Sequence, residues 1–455
     1  RPRRGRLRQR RIDVVMERPL IGGWRCAVCG RTVDIAEPFS WRCPGAVGGD
    51  RHHALELVQS ISPLRSTGDT NPFLGFRRYL AVDAFMAAHG LTDAAREALI
   101  AGLDAQVAAV EGTGFVTTPF FRADDLSDAL GFAADGGVWV KDETHNVGGS
   151  HKARHLFTIL VHLVAAEQMG VAPWASAGAS ARPPLAIASC GNAALAAGTL
   201  AAAVGWPIRV FVPPSANRHV TKRLGELGAE IAVCPRQAGD PPGDPCVHRF
   251  REAVAAGAVP FSVQGTENAW CLDGGRTIGW EMARHMEEQV EGPPFDRLFV
   301  QVGGGAFAAS VMAGFRMSGI TPRLHAVQTE ACAPLARAWE AARAAAGPKQ
   351  AAAHWAECMW PWEHVGESAA DGILDDETYD WLPVLGAMAD GHGAPVVVGE
   401  ADVLEANDVG CRTTGIDASH TGTAGLAGLV ALRREGPLQV QPDERVAVVF
   451  SGIRR

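Results

Sequence analysis

Lys152 is the residue whose type and setting most clearly suggest chemistry. It follows a strand-like segment that ends near Lys141 and a polar, glycine-containing loop (143–150), and it opens an amphipathic helical pattern (155–164). Burial and the positive end of a helix both lower the pKa of a lysine and expose the neutral amine that imine formation needs. The chain has four lysines in all, so this one is a stronger candidate than the alternative, a surface lysine in a first helical turn.

A second polar loop contains Ser189, Gly191 and Asn192, between an apolar stretch (185–187) and an alanine-rich helical segment. Unpaired N–H groups and the dipole at the start of a helix favour a bound carboxylate. The three residues are therefore candidates for binding a substrate carboxylate, and the Asn192 amide is also placed to meet a ring oxygen. The alternative is that Asn192 or Ser189 acts only as a helix N-cap.

A third loop contains Gly303, Gly304, Gly305 and Ala306, between an apolar strand pattern and a helical one. Backbone N–H groups of such a loop can cradle a phosphate. The run also fits the dinucleotide fingerprint Gly-x-Gly-x-x-Ala, with Glu330 after the next apolar segment. A nicotinamide-dependent oxidoreductase is therefore an alternative, but it leaves the other two loops without a role.

Together the three loops resemble those of the fold-type II pyridoxal-phosphate-dependent enzymes, which include threonine synthase, serine/threonine dehydratase, cysteine synthase and the tryptophan synthase β chain. The resemblance implies that Lys152 forms the Schiff base with pyridoxal 5'-phosphate and that Ser150 assists the leaving group. It implies further that Ser451, after the last strand pattern (446–450), faces the pyridine nitrogen. The other expected cofactor-binding and substrate-binding residues are Asn192, Gly303, Gly304, Gly305 and Ala306 for the cofactor, and Ser189, Gly191 and Asn192 for the substrate.

Within that group, the segments 71–73 (Asn-Pro-Phe) and 118–120 (Thr-Pro-Phe) and a cysteine-rich lead-in are most similar to threonine synthase. Ala153 stands where threonine synthase usually carries aspartate. The resemblance implies an enzyme that removes the α proton of an amino acid and then eliminates or replaces a group at the β or γ carbon, as threonine synthase does. A serine/threonine ammonia-lyase-like dehydratase is the alternative within the class, and a catalytically silent domain used for interaction is a further one.

The lead-in contains Cys26, Cys29 and Cys43, which supply three of the four soft ligands of a zinc ribbon. His53, or less favourably His52, completes the set. Four protein ligands leave no open position, so zinc here would be structural. The alternative is a small segment with reduced cysteines and no metal.

Apolar strand patterns at 208–212 and 230–234 flank a helical one, an alternation typical of a parallel, doubly wound α/β sheet. With the resemblance, this predicts a two-lobed fold-type II catalytic domain with mostly parallel sheets over residues 66–455. Its smaller lobe is expected at about 150–265. Residues 1–65 are expected to form a basic tail and the cysteine-rich segment.

An acidic and aromatic stretch at 368–381 also stands out. It is expected to line the substrate entrance or a subunit contact, with a solvated loop as the alternative. The residues alone do not separate these interpretations.

Composition limits the partners and the location. The chain has 455 residues and a net charge of −8, which argues against nucleic acid as a partner. No apolar run reaches the roughly 18 residues of a membrane span, and ten scattered cysteines favour a reducing, cytoplasmic location. The expected partners are a small amino-acid substrate and, from the resemblance, a second copy in a homodimer. The arginine-rich segment 1–11 is interpreted as a disordered tail or as upstream sequence.

Overall fold

The computed structural model describes residues 20–47, 50, 52–60, 62–292, 294–345, 347–434 and 439–455. The arginine-rich segment 1–11 lies outside these residues. The described part of the chain contains thirteen strands: β1 Ile21–Cys26, β2 Thr32–Asp34, β3 Leu55–Gln59, β4 Phe120–Arg122, β5 Gly137–Asp142, β6 Leu185–Ala188, β7 Ile208–Val212, β8 Glu230–Val233, β9 Val259–Pro260, β10 Arg297–Gln301, β11 Arg323–Thr329, β12 Val396–Val398 and β13 Arg445–Phe450.

Fifteen α-helices lie in the same described residues, and none of them is both long and apolar enough to cross a membrane. Side-chain caps and glycines set several of their ends, as where Thr92 accepts a hydrogen bond from the Ala95 N–H and Gly112 follows with φ of 84°. The helices are α1 Pro72–Gly75, α2 Ala81–Ala88, α3 Asp93–Glu111, α4 Asp124–Ala129, α5 Lys152–Gln168, α6 Asn192–Ala203, α7 Arg218–Glu226, α8 Pro245–Ala255, α9 Cys271–Gln289, α10 Ala306–Met317, α11 Pro334–Ala345, α12 Trp355–Cys358, α13 Trp381–Asp390, α14 Glu400–Thr414 and α15 His420–Arg434.

The largest sheet has six strands in the order β12-β11-β10-β13-β5-β4. All neighbours are parallel except β4, which runs antiparallel to β5. Every residue of β5 and β10 is buried, as expected for a parallel sheet covered on both faces. Since β10, β13 and β5 are adjacent and parallel, the loops that follow them leave the same edge of the sheet.

A second sheet has four parallel strands in the order β8-β7-β6-β9. Its strand β6 leads into the loop at Ser189, and the alanine-rich α6 follows. Close packing needs small residues here, because a Cβ at Gly198 would lie 3.0 Å from a methyl group of Leu224 on α7. The predicted α/β fold with mostly parallel sheets is confirmed, whereas the boundary at residue 65 and the inserted lobe at 150–265 stay predictions.

The cysteine-rich segment forms a small antiparallel sheet in the order β2-β1-β3. Ile21 and Trp24 of β1 are buried in the same apolar core as Phe76, Tyr79 and Trp280. The segment expected from the sequence is therefore present, and its sheet shares a core with the residues that follow.

Candidate active site

A cavity of about 310 Å³ is lined by the loops that follow β5, β6, β10 and β13. The packing of these strands therefore brings together side chains that lie far apart in the sequence. The predicted site residues on its wall are Lys152, Ser189, Gly191, Asn192, Gly303, Gly304, Gly305, Ala306 and Ser451.

Lys152 is the first residue of α5 and lies on the cavity wall. Burial lowers its pKa, against the opposing influence of the Asp375 carboxylate and the Cys271 thiol. Within the part of the chain that the structure describes, its Nζ has no hydrogen-bond or ion-pair partner. The site thus presents an amine whose neutral, nucleophilic form is favoured.

The turn before Lys152 depends on two glycines with positive φ, 68° at Gly148 and 65° at Gly149. A Cβ at Gly149 would lie 2.8 Å from the Ile453 side chain, so the segment after β13 packs against this turn. The Asn146 carboxamide oxygen accepts the Val147 N–H at 2.8 Å and begins the turn. These contacts explain why the lysine is preceded by a Gly-Gly pair.

Among the predicted catalytic, cofactor-binding and substrate-binding residues, Ser150 alone does not line the cavity. Its side chain is buried, and its hydroxyl accepts the backbone N–H of Lys152 at 3.4 Å. The hydroxyl therefore contacts the first turn of α5, and its role toward a leaving group stays a prediction.

Asn192 is the first residue of α6, and the Ser189 hydroxyl accepts the Gly191 N–H at 3.5 Å. The Asn192 side chain also approaches the end of the chain. A Cβ at Gly452 would lie 2.7 Å from Asn192 Nδ2, and the guanidinium of Arg455 donates to Asn192 Oδ1. The second loop thus lies at the start of a helix, where an anion is favoured, and its amide lies beside the residue that follows Ser451.

The glycine loop leads directly into α10, with Gly305 (φ 94°) as the N-cap. A Cβ at Gly305 would lie 2.9 Å from Thr378, and one at Gly303 would collide with the Asp375 carboxylate. The Gly304 backbone lowers the pKa of that same carboxylate, against the effect of burial. The loop therefore has the close backbone approach that an oxyanion such as phosphate requires.

Asp375 was not predicted as a site residue, although it belongs to the acidic and aromatic stretch 368–381. Burial raises its pKa to about 6, and nearby Lys152 works in the opposite direction. Residues 371–375 line the cavity, so the expectation that this stretch borders the substrate entrance agrees with its position.

Two histidines on the wall were also missed. The His151 ring is buried against Phe307 at 3.9 Å between centroids, and its Nδ1 lies 2.5 Å from Ser451 Oγ. His155 Nδ1 donates to the Cys271 carbonyl at 2.8 Å. Burial lowers the pKa of His155 to about 3 and that of His151 well below its usual value, so both rings are neutral. Adjacency to Lys152 was the only sequence signal for either one.

The four predicted metal ligands also meet. One ligand atom from each of Cys26, Cys29, Cys43 and His53 lies within 4.8 Å of all the others. His53 Nδ1 is 3.3 Å from the sulfurs of Cys26 and Cys43, and its Nε2 lies 3.0 Å from Asp50. A carboxylate on the second ring nitrogen is the usual support of a metal-binding histidine.

Comparisons with known proteins agree with this geometry. The family model described as "Pyridoxal-phosphate dependent enzyme" matches residues 113–452. No curated protein sequence matches the chain.

Three solved structures illustrate the fold. Serine racemase from maize is 15% identical, with a TM-score of 0.55 over 78% of this chain and 92% of that one. Threonine deaminase isoform 2 from Solanum lycopersicum is 16% identical, with a TM-score of 0.57 over 81% and 92%. L-serine ammonia-lyase from the fungus Rhizomucor miehei is 18% identical, with a TM-score of 0.55 over 74% and 94%. At these identities the likenesses establish the fold alone.

The family match covers the lysine turn, both anion-binding loops and Ser451 within one span of the chain. It gives no support to the nicotinamide alternative. This chain belongs to the family of pyridoxal-phosphate-dependent enzymes.

Proposed function

We propose that this enzyme eliminates or replaces a group at the β or γ carbon of an amino acid, after removal of the α proton. The observation that carries the proposal is Lys152. Its unpartnered Nζ shares one cavity with a glycine loop that leads into α10 and with the hydroxyl of Ser451. A lysine, an oxyanion cradle and a neutral hydroxyl are the groups that this chemistry needs.

The residues present fit pyridoxal phosphate. Lys152 would hold its aldehyde carbon, the N–H groups at 303–306 its phosphate, and Asn192 its ring hydroxyl. Ser451 would meet its ring nitrogen. The tight space at Gly303 and Gly305, which a Cβ would fill, supports this fit, because the loop backbone is left open to close approach. When bound, the cofactor disperses the negative charge that develops at the substrate α carbon.

The chain itself supplies the proton transfer. The lowered pKa of Lys152 favours Nζ as the base. His155 does not compete for that role, because burial lowers its pKa to about 3. Ser189, Gly191 and Asn192 would hold the substrate carboxylate at the start of α6. A hydroxyl such as Ser451 leaves the ring nitrogen largely neutral, which favours elimination or replacement over transamination.

Two reactions, each with its own substrate class, are compatible with this proposal. The segments 71–73 and 118–120 and the cysteine cluster favour a threonine-synthase-like reaction at the γ carbon. Ala153, where threonine synthase usually has aspartate, favours the second candidate, a serine/threonine ammonia-lyase-like elimination at the β carbon. Solved structures titled threonine deaminase and L-serine ammonia-lyase share the fold, and they support the second candidate as much as the first.

The first test is the absorption spectrum of the purified protein before and after borohydride reduction. We expect a yellow band that reduction fixes to Lys152, and we expect Lys152→Ala to lack it. Lys222→Ala is the matched control, because the Lys222 side chain is 78% exposed on α7. A colourless wild-type protein that takes up no added pyridoxal phosphate would refute the proposal.

Turnover then separates the candidates. O-phospho-L-homoserine converted to threonine and phosphate identifies the threonine-synthase-like reaction. L-serine or L-threonine converted to a 2-oxo acid and ammonia identifies the lyase. A bound cofactor without turnover on any amino acid would instead favour the catalytically silent domain.

We further propose that Cys26, Cys29, Cys43 and His53 bind one structural zinc ion. Three thiolates and an imidazole suit tetrahedral Zn²⁺, and the proposed ligands leave no position for substrate. Elemental analysis should find one zinc per chain, lost in Cys43→Ser and kept in Cys411→Ser, whose sulfur lies outside the cluster. Zinc retained in Cys43→Ser would contradict the assignment.

The resemblance also leads us to propose a cytoplasmic homodimer whose smaller lobe spans about 150–265. Light scattering on the purified protein tests the dimer. Limited proteolysis tests the lobe boundaries, and a monomer in solution would contradict the first of these proposals.

A further inference from the structure

His151 and Ser451 form a contact that neither the family match nor the proposed roles require. The two residues are 300 positions apart, and two contacts join them. The backbone N–H of His151 donates to Ser451 Oγ at 3.1 Å, and the ring Nδ1 lies 2.5 Å from the same oxygen. The hydroxyl expected to face the cofactor ring is therefore held by one residue twice.

The orientation of the His151 ring is fixed by its surroundings. Phe307 stacks on it at 3.9 Å with planes 17° apart, and His155 meets it edge-on at 5.6 Å. His151 is 7% exposed, so the ring has little freedom to turn. The Nδ1 atom of His151 therefore stays directed at the Ser451 hydroxyl.

The protonation of His151 then decides what Ser451 can do. A hydroxyl has one proton to donate and two lone pairs with which to accept. The backbone N–H of His151 takes one lone pair. If His151 carries its proton on Nδ1, that proton takes the other lone pair and the hydroxyl can only donate to a ligand. If the proton is on Nε2, Ser451 donates to His151 and keeps a lone pair free.

The environment favours the Nδ1 proton. Burial and the neighbouring Lys152 and His155 keep the ring neutral, so it carries a single proton. Among the described residues, the buried Nε2 has no hydrogen-bond partner. An orphaned N–H donor is the rarer and less tolerated defect in a protein interior, so the proton belongs on the edge that has an acceptor.

We propose that His151 is a positioning residue that directs the Ser451 hydroxyl into the cavity as an obligate hydrogen-bond donor. The inference rests on the proposed function, because the acceptor is then the ring nitrogen of pyridoxal phosphate. A hydroxyl with no free lone pair cannot stabilise a protonated ring nitrogen. His151 thereby keeps this nitrogen neutral and steers the reaction away from transamination.

The test reads the hydrogen bond directly. Pyridoxal phosphate labelled with ¹⁵N in its ring is bound to the wild type and to Ser451→Ala, His151→Phe and His151→Asn. Asparagine carries an N–H donor at the atom that corresponds to Nδ1, whereas phenylalanine keeps the ring stack on Phe307 without a donor. We expect the ¹⁵N resonance of H151F to move toward that of S451A and the resonance of H151N to stay near wild type. The ratio of transamination to elimination should rise in H151F and return in H151N.

The outcomes are distinguishable. A wild type that binds no pyridoxal phosphate removes the proposed function, and this inference with it. A wild-type ¹⁵N shift in H151F overturns the inference and leaves the proposed function intact. If H151F does not fold or bind, the ¹⁵N histidine spectrum of the wild type decides, with H151N assigning the signal. Protonation at Nε2 would then overturn the proposal, and protonation at Nδ1 would uphold it.

Discussion

Lys152 and Arg154 lie two residues apart in the first turn of α5, yet their charged groups meet opposite surroundings. The Arg154 side chain is fully buried and bound bidentately by Glu143, with both N···O distances 2.9 Å. It also pairs with Glu281 at 2.5 Å, and Glu281 in turn pairs with Lys141. These four residues form a buried charge cluster of two cations and two anions. Lys152 instead lies on the cavity wall, and among the described residues its Nζ has no hydrogen-bond or ion-pair partner.

The difference shows how one helix turn can hold a site rigid and still leave a reactive group free. The Thr118 hydroxyl donates to Glu143 at 2.5 Å and the Asn146 amide donates to it at 2.8 Å, so the cluster ties together β5, α5 and the segment before β4. Burial works against the ionised form of Glu143, but Arg154 and Lys141 outweigh it and lower its pKa. Buried charged groups are normally paired and hydrogen-bonded. Lys152 departs from that rule on the cavity wall, where a ligand is expected.

The largest effect on stability is expected from Arg154→Met. Removing one cation leaves Glu143 and Glu281 with Lys141 as the single remaining cation of the cluster, so one buried negative charge is uncompensated, which typically costs about 3–5 kcal/mol. Urea unfolding should show this loss. Arg284→Met is the control, because its pair with Glu288 is on the surface and should contribute less than about 1 kcal/mol. Equal losses of stability in the two variants would contradict a larger contribution from the buried cluster than from the surface pair.

A smaller, pH-dependent effect is expected from Asp375→Asn. The pKa of Asp375 rises from 3.8 to about 6 on folding, because burial penalises the carboxylate. Above pH 6 the folded protein carries that penalty, and the penalty disappears as the pH falls toward 4 and the folded state takes up the proton. The variant should therefore be more stable at pH 8 by on the order of 2 kcal/mol and nearly unchanged at pH 4. Stabilisation that is equal at both values would exclude this cause.

The smallest effect should come from Lys152→Met in the protein without cofactor. The substitution removes an amine that has no partner and adds a flexible apolar side chain of similar length. We expect a gain on the order of 1 kcal/mol in the free energy of unfolding, since no ion pair is lost. Thermal unfolding in parallel with Arg154→Met measures the contrast. A loss as large as that of the arginine variant would show that Lys152 has a structural partner.

Much of the fold and of the site was predictable from short stretches of sequence. The predicted strand at 208–212 is β7, and the one at 230–234 is β8 with one residue fewer. The three loops with glycines and helix starts all reached the cavity. Such patterns are local, because strand alternation, positive φ and helix starts depend on residues a few positions apart.

Other features were not predictable in this way. Ser150 is two residues from the lysine in sequence but does not line the cavity. His151 could be recognised only after its contact with Ser451 was known. Asp375 lies in the stretch 368–381, for which the sequence allowed three interpretations. The stretch is far in sequence from the other loops of the site, so the residues alone did not show that it meets them.

The sequence alone determined which groups are present, namely the Lys152 amine, two polar loops at helix starts, the Ser451 hydroxyl and a group of three cysteines and a histidine. It did so because each is encoded by neighbouring residues. The order β10-β13-β5 in the sheet decided which of these groups meet. That order arises from the burial of both faces of a parallel sheet beneath helices, a property of the packed chain that no single segment contains.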